Sequence, residues 1–258
     1  MSQTIQLTQK GPLGVMTFNR PEVFNSFNKE LALAVLAALD DYAENETVRA
    51  IMITGNGKAF CAGQDLQEAT SPDFEIDKVV DQHYNPFIRK IRGIAKPVIA
   101  AVNGVAAGAG ANIAIACDVA VATKSASFIQ AFSKIGLVPD SGGTFTLPRT
   151  IGFSKASALM MLGDKVSAED AERMGMIYKV FEDESFAEES EALALKLAHM
   201  PTKGLAYTKY LLNQSFTNDL DQQLELEKEY QYKSTLTYDH KEGIKAFIEK
   251  RKPEFKGE

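Results

Sequence analysis

The sequence predicts an α/β protein whose carboxyl-terminal part is entirely helical. Up to about residue 195, short apolar runs alternate with amphipathic helical patterns, and several of those runs contain no polar residue. From residue 186 to residue 250, nearly every apolar residue fits a helical stripe and no strand pattern occurs. Uninterrupted apolar strands that alternate with helices are typical of a largely parallel sheet covered on both faces. We therefore expect a core over residues 1–195 and a helical region over residues 196–258.

The first elements of the core are a short strand and a strong amphipathic helix. The apolar run Leu13–Phe18 is followed by a turn that contains proline, which indicates a strand. In the helix predicted over residues 28–43, Leu31 and Val35 begin an apolar stripe and Asn28 supplies the N-cap. The same patterns predict strands over residues 48–54, 98–102 and 119–122. They also predict helices over residues 74–94 and 111–117, the first with a break near Pro86.

Three predicted helices in the carboxyl-terminal region carry more apolar surface than short helices need. They cover residues 202–216, 219–237 and 239–250, and their apolar residues include Leu212 and Ile248. Packing on the chain's own core is the simplest explanation for any single one of these residues. Burial against another subunit, as in symmetric homo-oligomers, is the alternative.

The composition excludes several classes of protein. The chain has 258 residues, of which 45% are hydrophobic and 24% charged, as in a globular rather than a disordered protein. The net charge of −6 argues against nucleic-acid and anionic-membrane partners. Two cysteines and three scattered histidines predict neither a disulfide framework nor a metal site. Residues 1–10 lack a signal-peptide pattern and no apolar run could span a membrane, so we expect a cytoplasmic protein.

Three segments carry glycine and polar residues where a packed core would carry bulky side chains. Taken alone, residues 58–66 are explained most simply as a strand-to-helix turn that Gly63 makes possible. Residues 103–112 follow a buried strand and open a helix, so their N–H groups could hold a phosphate or an oxyanion. The small residues could equally serve close packing, and the segment matches neither the dinucleotide fingerprint nor the P-loop.

The third segment, residues 136–144, contains a single carboxylate. Asp140 stands between a proline and a pair of glycines, just before a predicted helix. Rigid turn chemistry of this kind suits a positioned proton-transfer group. Taken alone, however, an Asp at such a place is more commonly a helix N-cap.

Together, the three segments resemble the crotonase superfamily of enoyl-CoA hydratases and isomerases. The similarity begins at Phe18-Asn19-Arg20-Pro21, passes through the three segments in the family's order and ends at residues 242–251. The resemblance implies a crotonase-type ββα spiral core, with carboxyl-terminal helices that build a homotrimer or a homohexamer of two trimers. It also implies an acyl-CoA thioester as substrate. Because CoA is part of that substrate, no separate cofactor and no metal are expected.

The resemblance also implies a role for individual residues. The backbone N–H groups of Gln64 and Ala109 would hold the thioester oxygen, while Asp140 would move the proton. An apolar wall that includes Ile129 and Leu137 would suit an aromatic or alicyclic acyl group and would raise the pKa of Asp140 by desolvation. Contacts with the acyl group or with CoA are implied for Ala62, Gly63, Asp65, Leu66, Tyr84, Gly108, Phe132, Phe247 and Lys250.

Two positions bear on the type of reaction. Asn112 and Phe132 stand where the family's hydratases carry two glutamates, which disfavours the usual addition of water. The chain is more similar to the isomerases of phenylacetate breakdown that act on ring-1,2-epoxyphenylacetyl-CoA, for example in His83-Tyr84-Asn85-Pro86. The resemblance thus implies conversion of that epoxide to oxepin-CoA, a shift of 3-enoyl-CoA to 2-enoyl-CoA, or both. The alternatives are a hydratase or lyase of the same fold and a non-catalytic scaffold or RNA-binding relative.

Two further side chains need an interpretation. His83 could act as a second base, but a lone histidine in a helix is more often a partly exposed structural residue. Cys61 is interpreted as a packing residue, because no neighbouring residue in the sequence would pair with its thiol.

Overall fold

The strands of the chain form two sheets. The computed structural model describes residues 4–258, so residues 1–3, which belong to the predicted core and to the polar segment 1–10, lie outside the described residues. The strands are β1 (Ile5–Lys10), β2 (Leu13–Phe18), β3 (Ala50–Gly55), β4 (Ala59–Cys61), β5 (Val98–Val102), β6 (Val105–Ala107), β7 (Val119–Thr123), β8 (Ser127–Ile129), β9 (Lys165–Ser167) and β10 (Lys179–Phe181).

Helices surround the sheets and make up the carboxyl-terminal region. None of those within residues 4–258 combines the length and the apolar composition that crossing a bilayer requires. Short 3₁₀ turns cover Pro21–Val23 and Ala131–Ile135, and a π-helical turn covers Val80–Tyr84. The α-helices are α1 (Lys29–Glu44), α2 (Leu66–Ala69), α3 (Ile76–Val79), α4 (Asn85–Gly93), α5 (Ala109–Ala116), α6 (Gly143–Ile151), α7 (Phe153–Leu162), α8 (Ala168–Arg173), α9 (Phe186–Ala198), α10 (Thr202–Gln214), α11 (Leu220–Thr235) and α12 (Tyr238–Glu249).

The two sheets advance together as a spiral. The larger sheet has the strand order β1-β2-β3-β5-β7-β10, and all neighbours except the β1–β2 hairpin pair in parallel. The smaller sheet has the order β4-β6-β8-β9. In the successive pairs β3/β4, β5/β6 and β7/β8, the chain gives one strand to each sheet. The predicted α/β class and the ββα spiral are therefore confirmed.

Both faces of the larger sheet are covered, which explains its uninterrupted apolar strands. Every residue of the central strand β5 is buried. On one face, Leu31 and Val35 of α1 share the main core with Ile53 of β3. On the other face, α9 contributes Ala194 and Ala198 to a second buried cluster. Each large apolar side chain that is fully buried contributes roughly 1.5–3 kcal/mol, so neither face could be left to solvent without a large loss.

The structure departs from the sequence-based expectation in several elements. Strand β1 gives only a weak sequence signal, because its apolar alternation is limited to Ile5 and Leu7; five of its six residues are exposed. The strands of the smaller sheet are only three residues long, too short for a pattern to appear. The helix expected over residues 74–94 is interrupted by the π-helical turn rather than at Pro86. Pro86 is the second residue of α4, where a missing N–H removes no hydrogen bond of that helix.

A buried lysine ties the carboxyl-terminal helices to the core. Lys209 of α10 donates hydrogen bonds to the carbonyl oxygens of Ile91 (2.6 Å) and Lys96 (3.1 Å), and it forms an ion pair with Asp118 (2.8 Å). Much of the apolar surface of these helices nevertheless remains open: Leu220 is 71% exposed and Ile248 is 73% exposed. Packing on the chain's own core therefore does not account for all of this surface.

Helix α5 begins in direct backbone contact with β4. A Cβ atom placed on Gly110 would lie 2.1 Å from the carbonyl oxygen of Cys61. Just before β6, a Cβ atom on Gly104 would lie 2.2 Å from the carbonyl oxygen of Lys58. Both distances are far inside van der Waals contact, and the atoms met belong to the backbone. Glycine at these two places is thus a condition for the close packing of the smaller sheet and α5.

Gly110→Ala should lower the free energy of unfolding by about 1–3 kcal/mol, as overpacking of a dense core does. For a chain of this length, each kcal/mol corresponds to a fall in Tm of roughly 2–4 °C. Gly93→Ala is the matched control, because nothing lies within 4 Å of a Cβ atom at that position. Thermal unfolding followed by circular dichroism should show an unchanged or slightly higher Tm for the control. An unchanged Tm for Gly110→Ala would contradict the packing.

Candidate active site

Two parallel strands of the smaller sheet bring the first two motif segments together. β4 pairs with β6 in parallel, so the loops that follow them leave the same edge of the sheet. Gly63 follows β4 with a φ of 92°, which favours glycine. A Cβ atom on Gly63 would lie 3.0 Å from the Ala107 carbonyl oxygen and 3.6 Å from the Ala109 nitrogen. The two backbone segments are therefore in contact, and a side chain at Gly63 would push them apart.

Gly108 makes the turn from β6 into α5. Its φ of 54° and ψ of −125° lie in a region that residues with a Cβ atom avoid. Its N–H donates to the carbonyl oxygen of Ile129 (2.9 Å), while its own carbonyl accepts from the N–H of Asn112 (3.2 Å). These bonds fix the start of α5 at Ala109.

The backbone N–H groups of Gln64 and Ala109 have no acceptor within the described residues. The next N–H along the first loop, that of Asp65, donates to the carbonyl oxygen of Phe27 (2.8 Å), so in this extended segment the Gln64 N–H points the other way. Ala109 is the first residue of α5, where an N–H has no acceptor within the helix. Within residues 4–258, neither amide donates a hydrogen bond to the protein. Their role as oxyanion donors stays a prediction.

Asp140 lies on the turn that leads into α6. Its carbonyl oxygen accepts hydrogen bonds from the Gly143 N–H (2.9 Å) and from Asn112 Nδ2 (2.9 Å). Its carboxylate oxygen Oδ1 accepts from Ser141 Oγ (2.9 Å). The N-cap of α6 is Gly142, so the interpretation of Asp140 as a helix N-cap is wrong.

Two opposing effects act on the Asp140 carboxylate. Burial, which disfavours the charged form, raises its pKa above the ordinary value of 3.8. The hydrogen bonds from the Ser141 hydroxyl and from the backbone N–H of Asp140 itself favour the charged form and partly offset this rise in pKa. Burial is the larger effect, so the carboxylate is a better proton acceptor than an exposed Asp.

Tyr84 connects the first loop with the region of Asp140. Its side chain is 1% exposed, and Oη donates to Gln64 Oε1 (2.9 Å). Gln64 Nε2 in turn donates to Glu68 Oε2 (2.7 Å). Burial raises the pKa of Tyr84 well above 10.0, and the nearby Asp140 charge raises it further. The phenol is therefore a neutral hydrogen-bond donor rather than a base.

Apolar side chains close part of the site. Phe132 is 6% exposed, and its ring would lie 3.8 Å from a Cβ atom on Gly108. Ile129 of β8 is half-buried, whereas Leu137 is 47% exposed. Phe132 thus forms a wall beside the start of α5, and Leu137 stands at the open side.

The residues expected to bind CoA fall into two groups. Ala62 and Leu66 flank Gly63 and Gln64, with Leu66 70% exposed. Asp65, by contrast, accepts a hydrogen bond from the Gln67 N–H as the N-cap of α2 and forms an ion pair with Arg20 (2.7 Å), so its side chain is occupied within the fold.

The second group lies at the end of α12. Phe247 is 86% exposed and lines a groove with Ile244 and Pro201, between α10 and α12. Lys250 is the C-cap of the same helix, in a left-handed conformation. The structure does not bring this pair to the site around Asp140 within one chain, and their contact with CoA stays a prediction.

His83 and Cys61 are both buried in the structure. His83 is 8% exposed and is thus buried, not partly exposed as expected. Burial lowers its pKa, while Glu68 opposes this. Cys61 is fully buried, and burial raises the pKa of its thiol to about 12, so the thiol stays protonated and serves packing.

Sequence reasoning missed the polar network behind Asp140. Asn112 and Gln130 are buried and hydrogen-bonded to each other, with Gln130 Nε2 donating to Asn112 Oδ1 (2.8 Å). One signal was available: Asn112 is the only polar side chain in α5, whose eight residues are all buried. A buried amide in such a helix requires hydrogen-bond partners. One of them here is the Asp140 carbonyl oxygen, 28 residues further along the chain.

In sequence and in structure, the chain is similar to enoyl-CoA hydratases and isomerases. A family model described as enoyl-CoA hydratase/isomerase matches residues 8–258. The chain is 45% identical to the 1,2-epoxyphenylacetyl-CoA isomerase of Escherichia coli (strain K12), over 96% of each chain. It is 41% identical to a probable enoyl-CoA hydratase of Rhodobacter capsulatus, over 98% of each chain. The crystal structure of an enoyl-CoA hydratase from Bacillus anthracis superposes with a TM-score of 0.95 at 31% identity, covering 99% of this chain and 100% of that one.

Asp140→Asn should stabilise the protein near neutral pH. Because burial raises the pKa of Asp140 in the folded state, the folded chain holds this proton more tightly than the unfolded chain does. The stability that this group contributes is therefore lost as the pH rises through the raised pKa, and an uncharged Asn avoids that loss. The gain in Tm should be largest above pH 7 and should shrink as the pH falls towards 4.

Thermal unfolding across this pH range measures the effect. Asp164→Asn removes a charge from an exposed position and serves as the control, with no comparable pH-dependent gain. If Asp140→Asn has the same Tm as the wild type at every pH, the carboxylate is not desolvated as the structure shows.

Proposed function

Since the chain belongs to the enoyl-CoA hydratase/isomerase family, we propose that it is an acyl-CoA isomerase with one proton-transferring carboxylate, Asp140. The observation that supports isomerisation over hydration is the state of Asn112. Its amide is engaged by the backbone of Asp140 itself, and an amide can act neither as acid nor as base. Asp140 is thus the carboxylate on which the chemistry depends.

For a linear 3-enoyl-CoA, the reaction moves one proton along the acyl chain. Asp140 takes the proton from C2, and the electron pair left behind is delocalised onto the thioester oxygen as an enolate. The N–H groups of Gln64 and Ala109 stabilise that negative charge. Asp140 then returns the proton at C4, and the double bond lies between C2 and C3. Loss of one such N–H donor would cost about 10²–10³ in rate.

For ring-1,2-epoxyphenylacetyl-CoA, the same groups support a net isomerisation. Rearrangement of the fused epoxide gives the seven-membered oxepin thioester with no gain or loss of atoms. The buried wall at Phe132 and the apolar approach at Leu137 suit an alicyclic acyl group better than a small polar one. The similarity to the E. coli isomerase of this substrate supports the same assignment.

The raised pKa of Asp140 fits a group that must both accept and release a proton. A raised pKa makes the carboxylate a stronger base for taking the proton from C2. Desolvation brings the pKa closer to neutral pH, where general acid–base catalysis is most effective. Ser141 holds Oδ1, so Oδ2 is the oxygen that we assign to proton transfer.

We also propose that the enzyme is a cytoplasmic oligomer. The exposed apolar residues of α10–α12, such as Leu220 and Ile248, support a homotrimer or a homohexamer. A cytoplasmic location, with acyl-CoA thioesters as partners, agrees with the similarity to the bacterial relatives.

Product analysis tests the reaction class directly. The enzyme should convert epoxidised phenylacetyl-CoA to the oxepin thioester, or 3-hexenoyl-CoA to 2-hexenoyl-CoA, as separated by liquid chromatography and mass spectrometry. Crotonyl-CoA in the same assay should yield no product heavier by one water. Formation of the hydrated product at a comparable rate would instead show that the enzyme is a hydratase.

Asp140→Asn should lower the rate of isomerisation by about 10²–10⁴-fold, because it removes the general acid–base. Affinity for butyryl-CoA, a saturated thioester that cannot react, should be unchanged in a calorimetric titration. Asp164→Asn should retain wild-type turnover. Full activity of Asp140→Asn would refute the role of Asp140.

A further inference from the structure

We infer that Asn112 is a positioning residue for Asp140, which acts by holding the Asp140 peptide group from inside helix α5. The inference rests on the proposed function, since it concerns the group to which proton transfer is assigned. Asn112 is 0% exposed, and its hydrogen bond to Asp140 goes to the backbone, with Nδ2 2.9 Å from the carbonyl oxygen. It therefore fixes where the carboxylate stands without taking part in the proton transfer.

The direction of each hydrogen bond in this network is forced. A backbone carbonyl can only accept, so Asn112 must turn its NH₂ group towards Asp140 and its oxygen towards Gln130. Gln130 must then present its own NH₂ group to Asn112, which leaves Gln130 Oε1 buried without a partner among the described residues. An unpaired buried oxygen lowers the stability of the folded protein. The network keeps this unpaired oxygen, and in return the Asn112 NH₂ group is directed at the Asp140 carbonyl.

The held turn is intrinsically unfavourable. Ser141 has a φ of 51° and Gly142 a φ of 70°, so two successive residues are left-handed. For a residue with a Cβ atom, such as Ser141, this conformation is unfavourable and persists only when the surroundings hold it. The Asp140 carbonyl, with donors from Asn112 and Gly143 on its two lone pairs, supplies that hold.

The conformation of this turn affects the Asp140 carboxylate through Ser141. In the left-handed conformation of Ser141, its hydroxyl lies 2.9 Å from Oδ1 of Asp140. If the Asn112 bond is lost, the turn can relax, Ser141 rotates away, and the carboxylate is no longer fixed. Asn112 thus acts on the carboxylate indirectly. It holds the Asp140 peptide group, which fixes Ser141, and the Ser141 hydroxyl in turn holds Oδ1 of Asp140.

The network also explains why a carboxylate does not fit at position 112. A carboxylate there would face the Asp140 carbonyl with a second acceptor, and it would add a negative charge behind Asp140. An ionised carboxylate at this position could therefore not hold the turn as the Asn112 amide does.

Gly143 offers an independent way to disturb the network. A Cβ atom on Gly143 would lie 2.3 Å from Asn112 Nδ2, 2.6 Å from Cγ and 2.7 Å from Oδ1. The added methyl group would have to push the Asn112 amide aside. In Asn112→Ala the amide is absent, so the same methyl group would find space.

The experiment compares Asn112→Ala, Gly143→Ala and the double variant. Asn112→Ala should lower kcat by roughly 10- to 100-fold through misplacement of the carboxylate, with KM and affinity for butyryl-CoA unchanged. Gly143→Ala should lower both kcat and Tm. The double variant should be less destabilised than the sum of the two single variants, because the cavity accepts the methyl group, while its kcat stays low. Stability and turnover are thereby separated.

Recovery of kcat together with Tm in the double variant would overturn the inference, since Asn112 would then serve packing alone. An equal loss of kcat and of affinity for butyryl-CoA in Asn112→Ala would also overturn it. So would an unchanged kcat in that variant.

A second measurement does not depend on turnover. Titration of ¹³C-labelled aspartate by NMR should show a higher pKa for Asp140 in Asn112→Ala, because the Ser141 hydrogen bond that lowers it is lost. Tyr84 is the titratable group that faces Asp140 from the π-helical turn, and its own high pKa keeps it neutral over this range. An unchanged titration would overturn the positioning role. A wild-type enzyme that isomerises neither substrate would instead refute the proposed function and leave this readout intact.

Discussion

The close contact between two backbone segments is the constraint on which the site depends. Strands β4 and β6 pair in parallel, and the loops that follow them are held together by residues without side chains, Gly63 and Gly108. Gly110 adds a third point of contact, against the carbonyl oxygen of Cys61. The N–H groups proposed as oxyanion donors belong to the backbone, so their direction is set by the sheet and by the start of α5. Neither Gln64 nor Ala109 needs a particular side chain to present an N–H group.

Around this apolar and glycine-rich frame, the site has very few polar side chains, and each of them has a defined partner. Tyr84 holds Gln64, while Asn112 and Ser141 hold Asp140 from two sides. In a low-dielectric environment such bonds are strong, and an unpaired group is costly. Burial that raises the pKa of Asp140 and hydrogen bonds that fix its place come from the same arrangement, so reactivity and geometry are set together.

A single chain buries only part of the apolar surface of its carboxyl-terminal helices. Lys209 and Asp118 anchor α10 to the core, but Leu220, Ile248 and Phe247 stay open. In the core, apolar residues that the sequence placed on one helical stripe are buried by the chain itself. In these helices the same pattern leaves exposed faces, which is typical of surfaces that a second copy covers.

The sequence by itself determined the α/β class, the strand Leu13–Phe18 and the helix capped by Asn28, because these depend on local periodicity and capping. It also made Asp140 and the glycine motifs candidates for the site, since resemblance works on residues that stand close together in the chain. Only the tertiary structure decided that Asn112 bonds the Asp140 backbone and that His83 is buried. These facts depend on contacts between distant segments, and the direction of a side-chain amide is chosen by its partners in space rather than by its neighbours in sequence.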